Sequence, residues 1–155
     1  MDNRPIGVFD SGLGGLTVVK AMKKLLPNES ILYFGDTARL PYGVKSKKLV
    51  IEYSNQIVKF LIKKNAKMII VACNTATAMA LEELKHNFKD TPIIGVIEPG
   101  STQALLDSTN KKIGVIGTVA TIKSKAYESA LKLIDKNIEV FSKDCPLFVL
   151  SLIHI

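Results

Sequence analysis

Residues 68–72, Met-Ile-Ile-Val-Ala, form an unbroken apolar run that stops abruptly at Cys73-Asn74-Thr75. A strand with no polar position has to be covered on both faces, which is the condition of a strand inside a parallel sheet. Short apolar runs also occur at residues 6–9, 31–34, 93–97 and 113–116. Stretches of helical composition lie between and after them: about 16–26, from Ser46 onward, 75–85, from Pro99-Gly100 to about 106, and 123–133. In the second of these, Leu49, Tyr53, Ile57, Phe60 and Leu61 recur at helical spacing and are expected in the core. The alternation predicts an α/β fold with a mostly parallel sheet and right-handed crossovers.

The 155 residues, 47% of them hydrophobic, suffice for one core or for one domain plus part of another. The formal charge of +7 raises the question of nucleic acid. The lysines are dispersed, however, as Lys20, Lys23, Lys24, then Lys45, Lys47, Lys48, then Lys63 and Lys64, with few aromatics between them. They read as solvated helix faces whose field also favours a small anionic substrate, with no nucleic-acid partner. No run approaches membrane-spanning length, and the start, Met1-Asp2-Asn3-Arg4-Pro5, is no secretory apolar region. Cys73 and Cys145 stand in unlike contexts, so no disulfide framework is expected and a reducing cytoplasm is the natural compartment.

Four places carry chemistry. Cys73 falls between a strand end and the first turn of a helix, where free amides favour a negative sulfur and are expected to lower the thiol pKa from its usual ~8.5. The other reading of Cys73 is an inert buried cysteine. Asp10-Ser11-Gly12-Leu13-Gly14-Gly15 follows the first strand. The dinucleotide fingerprint would need a glycine where Thr17 stands, and the Gly-Lys-Ser/Thr ending of a phosphate loop is absent. These glycines instead let the backbone approach a small ligand, with Asp10 and Ser11 projecting from the strand end, unless Ser11 simply caps the helix. Asp36 stands near where a ribose-binding acid would fall, which leaves a nucleotide-binding module open. Tyr42, between Pro41 and Gly43, is a packing lid or a ligand contact, with contact favoured.

An internal echo joins the two ends: Ile6-Gly7-Val8-Phe9-Asp10-Ser11 is answered by Ile113-Gly114-Val115-Ile116-Gly117-Thr118. If it marks a repeat, the counterpart of Cys73 falls at roughly residue 180.

Taken together, Phe9-Asp10-Ser11-Gly12-Leu13-Gly14-Gly15, Gly35-Asp36-Thr37-Ala38 with Pro41-Tyr42-Gly43, Ala72-Cys73-Asn74-Thr75-Ala76, and Gly117-Thr118 with Thr121 resemble the glutamate racemases of the cofactor-independent aspartate/glutamate racemase superfamily. The resemblance implies a flavodoxin-like, pseudo-symmetric two-domain racemase fold. It implies two-base inversion of glutamate at Cα without pyridoxal phosphate, other cofactor or metal, supplying D-glutamate for peptidoglycan. Under it Cys73 is one acid/base and Asp10 assists proton transfer or grips the ammonium. Ser11, Tyr42, Gly43, Asn74, Thr75, Thr118 and Thr121 hold the substrate. A small-molecule substrate, a cytoplasmic location and, for the longer protein, a homodimer are the accompanying expectations. Aspartate racemase, or a related superfamily member, is the neighbouring alternative.

The family's second cysteine, in an Ala-Cys-Thr-His type of motif, has no position in the sequence, and the surroundings of Cys145 resemble a different segment. The expected organisation is therefore a first domain over 1–97, the beginning of a second, incomplete one over 98–149, and a non-native tail over 150–155. That tail, Leu-Ser-Leu-Ile-His-Ile, is what the end of a transposon used in preparing sequencing libraries would encode. The fragment is expected to be inactive alone.

Overall fold

A computed structural model describes residues 2–148, so the 150–155 tail lies outside the described residues. The first strand, β1 (Ile6–Asp10), is buried along its whole length. It sits between β2 (Ile31–Gly35) and β3 (Met68–Val71), and β4 (Ile93–Gly95) adds to β3, giving a parallel sheet of order β2-β1-β3-β4. Alternation sorts its residues: Ile6, Val8 and Ala72 pack on Met22 of α1 (Leu16–Leu25). Phe9, Ile69 and Val71 face the opposite side, against α2 (Lys47–Lys63) and α3 (Asn74–Asn87). For β1, cover on both faces explains an apolar run without polar alternation; β4 has the same kind of run although Ile94 is 48% exposed.

Helix α2 begins as its sequence suggests, with Ser46 Oγ accepting from Leu49 N at 3.3 Å. Its buried stripe is Val50, Ser54, Ile57, Val58 and Leu61. Leu49 and Phe60, expected in the core, instead flank that stripe at 38% and 40% exposure. Phe60 sits at the rim, edge-on to Phe34.

A second, two-stranded parallel sheet joins β5 (Lys112–Gly117) to β6 (Glu139–Asp144), with α4 (Ile97–Asp107), α5 (Val119–Lys123) and α6 (Ala126–Ile134) around it. Ile113, Val115, Leu131 and Ile138 form its core. Three features here differ from the sequence reading. The fourth strand ends at Gly95 because Val96 already has helical backbone angles and its N–H donates to Thr77 Oγ1; Pro99 then falls in the first turn of α4, where its missing N–H costs little. The helix expected over 123–133 starts later, at Ala126, and an unexpected short helix, α5, precedes it. Ser124 Oγ donates to Thr121 O and accepts from Ala126 N, and Lys125 turns left-handed between them (φ 55°). Strand β6 had no apolar run to announce it: in Glu-Val-Phe-Ser-Lys-Asp only Val140 is even half-buried.

The sequence echo has a structural counterpart. Each member of the pair, β1 and β5, is paired in parallel with the next strand. Asp36 N donates to Asp10 O at 2.9 Å, and Cys145 N donates to Gly117 O at 2.9 Å.

Candidate active site

The carboxyl ends of β1, β2 and β3 lie side by side at one end of the parallel sheet, where an open α/β sheet carries its ligand sites. Cys73, buried, is the N-cap of α3, its sulfur accepting from Ala76 N at 3.4 Å. Its thiol donates to Ser11 Oγ at 3.5 Å. Ser11 therefore serves the thiol and not the helix, since α1 is entered through Gly15 without a side-chain cap. Asp10, also buried, turns Oδ2 back into its own loop, accepting from Gly12 N (3.2 Å) and Gly15 N (3.0 Å).

The expected acidification of Cys73 is overturned. Burial, and then the Asp10 carboxylate, push the thiol above its ordinary range. Donors from the Ser11 side chain and the Ala76 and Ser11 amides pull it down by less. The helix amides are in place, but at 5% exposure the thiol loses more from desolvation than they restore. The balance favours the protonated thiol.

Asp36 is consumed. It accepts from Tyr42 Oη at 2.5 Å and from Arg39 Nε at 3.0 Å, while Arg39 reaches Gln56 Oε1 and stacks on Tyr53. Both carboxylate oxygens are engaged and the residue is 4% exposed, so the nucleotide-binding alternative has no accessible acid here. Tyr42 is 1% exposed, with its hydroxyl held above the ordinary phenol range by burial and by Asp36. Its side chain is thus a packing element, and only its backbone is left for a ligand. Gly43 packs on α5: a Cβ there would stand 2.5 Å from Thr118 Cβ.

The threonines meet between the two sheets. Thr75 Oγ1 lies 3.0 Å from Thr118 Oγ1 and 3.1 Å from Thr121 Oγ1, and those two are 3.0 Å apart. Beside them Asn74 Oδ1 accepts from Tyr127 Oη at 2.6 Å. A cavity of about 310 Å³ opens here, lined by Asn74, Thr118, Thr121, Tyr127 and Cys145 among others. The structure thus groups Asp10, Ser11 and Cys73 at one place and Asn74, Thr75, Thr118 and Thr121 at the adjoining one. Tyr127, Thr77 and Tyr33 escaped the sequence reading. Thr77 ties the ends of β3 and β4 through Val71 O and Val96 N. Tyr33 donates to Gly12 O at 2.7 Å. Nothing in their local sequence distinguishes them from packing residues. Among the described residues no group of three or more His, Cys, Asp or Glu could hold a metal ion, and no helix is long and apolar enough to cross a membrane.

The parallel α/β sheet brings a buried thiol and a buried carboxylate to its strand ends, with hydroxyls and an amide beside them, the kinds of group that acid/base chemistry uses. Residues 6–145 match the Asp/Glu/Hydantoin racemase family, and the chain belongs to it. Glutamate racemase from Aquifex aeolicus is 56% identical over 144 residues, covering 93% of this chain and 56% of the relative. Glutamate racemase from Bacillus anthracis superposes with a TM-score of 0.94 at 44% identity, over 97% of this chain and 56% of that one. The enzyme from Francisella tularensis, solved with D-glutamate, gives 0.90 at 48%, over 98% and 56%. The chain spans about half the length of the curated relatives it matches.

Proposed function

We propose that this chain carries one half-site of a glutamate racemase, a two-base enzyme that interconverts L- and D-glutamate without a cofactor and serves peptidoglycan synthesis in the cytoplasm. The observation that carries the reading is the Cys73 thiol, buried beside Asp10 and bonded to Ser11 Oγ and Ala76 N. The relative solved with D-glutamate supports the substrate.

A Cα proton next to a carboxylate is very weakly acidic, so inversion needs a base on one face, an acid on the other, and donors for the substrate's charged groups. The protonated resting state of Cys73 suits it to the acid role, delivering its proton as a base removes the original one from the opposite face. The thiolate left behind accepts from Ser11 and Ala76 and is the base for the return reaction. Asp10 faces the substrate ammonium. The exposed Asn74 amide donates to the substrate's carboxylates, and the Thr75, Thr118 and Thr121 hydroxyls exchange bonds among themselves for bonds to the same groups. Tyr42 and Gly43 contribute backbone. Residues 1–97 are the first domain and 98–149 the beginning of a second, incomplete one, with the substrate held between them.

The opposite-face group is not Cys145, whose thiol donates to Lys143 O and whose amide is tied to Gly117 O, in the place Asp36 takes in the first sheet. The 155 residues alone are therefore expected not to invert glutamate. The test follows optical rotation of L- and D-glutamate in deuterated water, with this chain and with the protein of the relatives' full length. The longer protein should racemise and place deuterium at Cα, and Cys73→Ala should abolish both. Turnover by this chain, or by Cys73→Ala, refutes the two-thiol reading.

A further inference from the structure

The glycine loop after β1 is fastened from below by one phenol. Tyr33, on β2 opposite Val8, sends its hydroxyl to Gly12 O at 2.7 Å. Its ring is the floor on which the loop lies: a Cβ on Gly15 would come 3.1 Å from Tyr33 Cε2, and one on Gly35 would come 3.2 Å from Cε1. Asp10 needs no such help, since it belongs to the β1–β2 ladder opposite Gly35. Ser11 lies beyond the ladder, between the strand end and Gly12.

From this we infer that Tyr33 is a positioning residue for the thiol, acting through Gly12 to hold Ser11 against Cys73. The inference rests on the reading of Cys73 as an acid/base, but it concerns the sulfur and can be measured without turnover. The titratable groups facing Cys73 are Asp10, Tyr33 and Tyr42. Burial, with the charges of Asp10 and Cys73, pushes Tyr33 up to about 12, so it remains a neutral donor throughout the range in which the thiol reacts. Removing its hydroxyl therefore changes no charge near the sulfur. What changes is the placement of Ser11, which supplies both a hydroxyl and an amide to the thiolate. Freeing Gly12 and Gly15 from Asp10 Oδ2 acts in the same direction, because it turns the carboxylate loose beside the sulfur.

The test is the pH profile of Cys73 alkylation by iodoacetamide in the full chain, read peptide by peptide with mass spectrometry so that Cys145 is scored separately. In Tyr33→Phe, which keeps the ring, the Cys73 profile should move to higher pH and the rate at fixed pH below the midpoint should fall about three- to tenfold. Ser11→Ala should do the same, and Tyr33→Phe combined with Ser11→Ala should add little to Ser11→Ala alone. Exchange of the Gly12 and Gly15 amides should quicken in Tyr33→Phe. A Tyr33→Phe profile superimposable on wild type overturns the inference, as does full additivity with Ser11→Ala. A profile shifted down to that of the urea-denatured chain gives Tyr33 a purely structural role and also overturns it. Failure of the glutamate reading would appear separately, as absent turnover in a protein whose thiol profiles behave as described.

Discussion

At Cys73 two opposing effects can be ranked. The N-terminal amides of a helix and a serine stabilise the thiolate, yet desolvation and a neighbouring carboxylate raise the thiol above its ordinary range. This carries a consequence for stability. The thiol ionises in the unfolded chain from about pH 8.5, while the folded chain still holds its proton. The unfolded state then binds fewer protons, so stability is intact below that pH and falls as pH rises toward the native value. Cys73→Ser cannot titrate. Urea midpoints measured at about pH 7.5 and about pH 9.5 should drop more for the wild type than for Cys73→Ser. Equal drops would show that the sulfur is not shielded from water.

At the scale of elements, the segment from Asp36 to Gly43 works as one brace. Asp36, 4% exposed, holds the Tyr42 hydroxyl and Arg39, and so fixes the 3₁₀ turn Tyr42–Val44 against α5. Tyr42→Phe removes a buried, charge-assisted hydrogen bond from Asp36 and leaves that carboxylate to Arg39 alone; it should cost about 1–3 kcal/mol in urea unfolding. Gly43→Ala places a methyl against Thr118 Cβ, an atom too near the backbone to swing aside. It should destabilise by about 1–3 kcal/mol and disturb the threonine hydroxyls, with weaker glutamate binding in the full-length protein as the second measurement. These elements also show what could be read in advance. Strands β1 and β3 were legible because burial on both faces demands continuous apolar sequence. The Ser46 cap was legible because its geometry is local. Leu49 and Phe60 were misplaced because a helical stripe drawn from spacing is wider than the face another helix can cover. The break at Lys125 and the early end of β4 depend on side-chain bonds from Ser124 and Thr77, which pattern alone does not reveal. In the site, Cys73 and Asp10 stood out by type and position. The occupation of Tyr42 by Asp36 did not, because two polar residues in one loop give no sign of facing each other.

Across the whole molecule the two sheets are unequally built. β1 is buried on both faces and paired on both edges. In the second sheet α4 and α6 shield Ile113 and Val115, while Ile116 and Phe141 on the other face are 65% and 59% exposed. Nearly all of β6 is open to solvent. Local opening costs least where few apolar contacts must be broken, so amide exchange should divide the molecule along this line. β1 and β3 should exchange only through global unfolding. β5 and β6 should exchange faster, by a route that leaves the first sheet intact. The threonine contacts and the Tyr127–Asn74 bond cross between the two parts, so Tyr127→Phe should quicken exchange in β5 and β6 while leaving β1 unchanged. Peptide-resolved exchange at several urea concentrations measures this directly. If β6 amides prove as protected as those of β1, or if Tyr127→Phe slackens both sheets equally, the molecule opens as one cooperative unit and the cavity lies within it. The expected outcome is the opposite: a rigid first sheet that holds Cys73 and Asp10 in place, and a second that can part from it to admit a ligand.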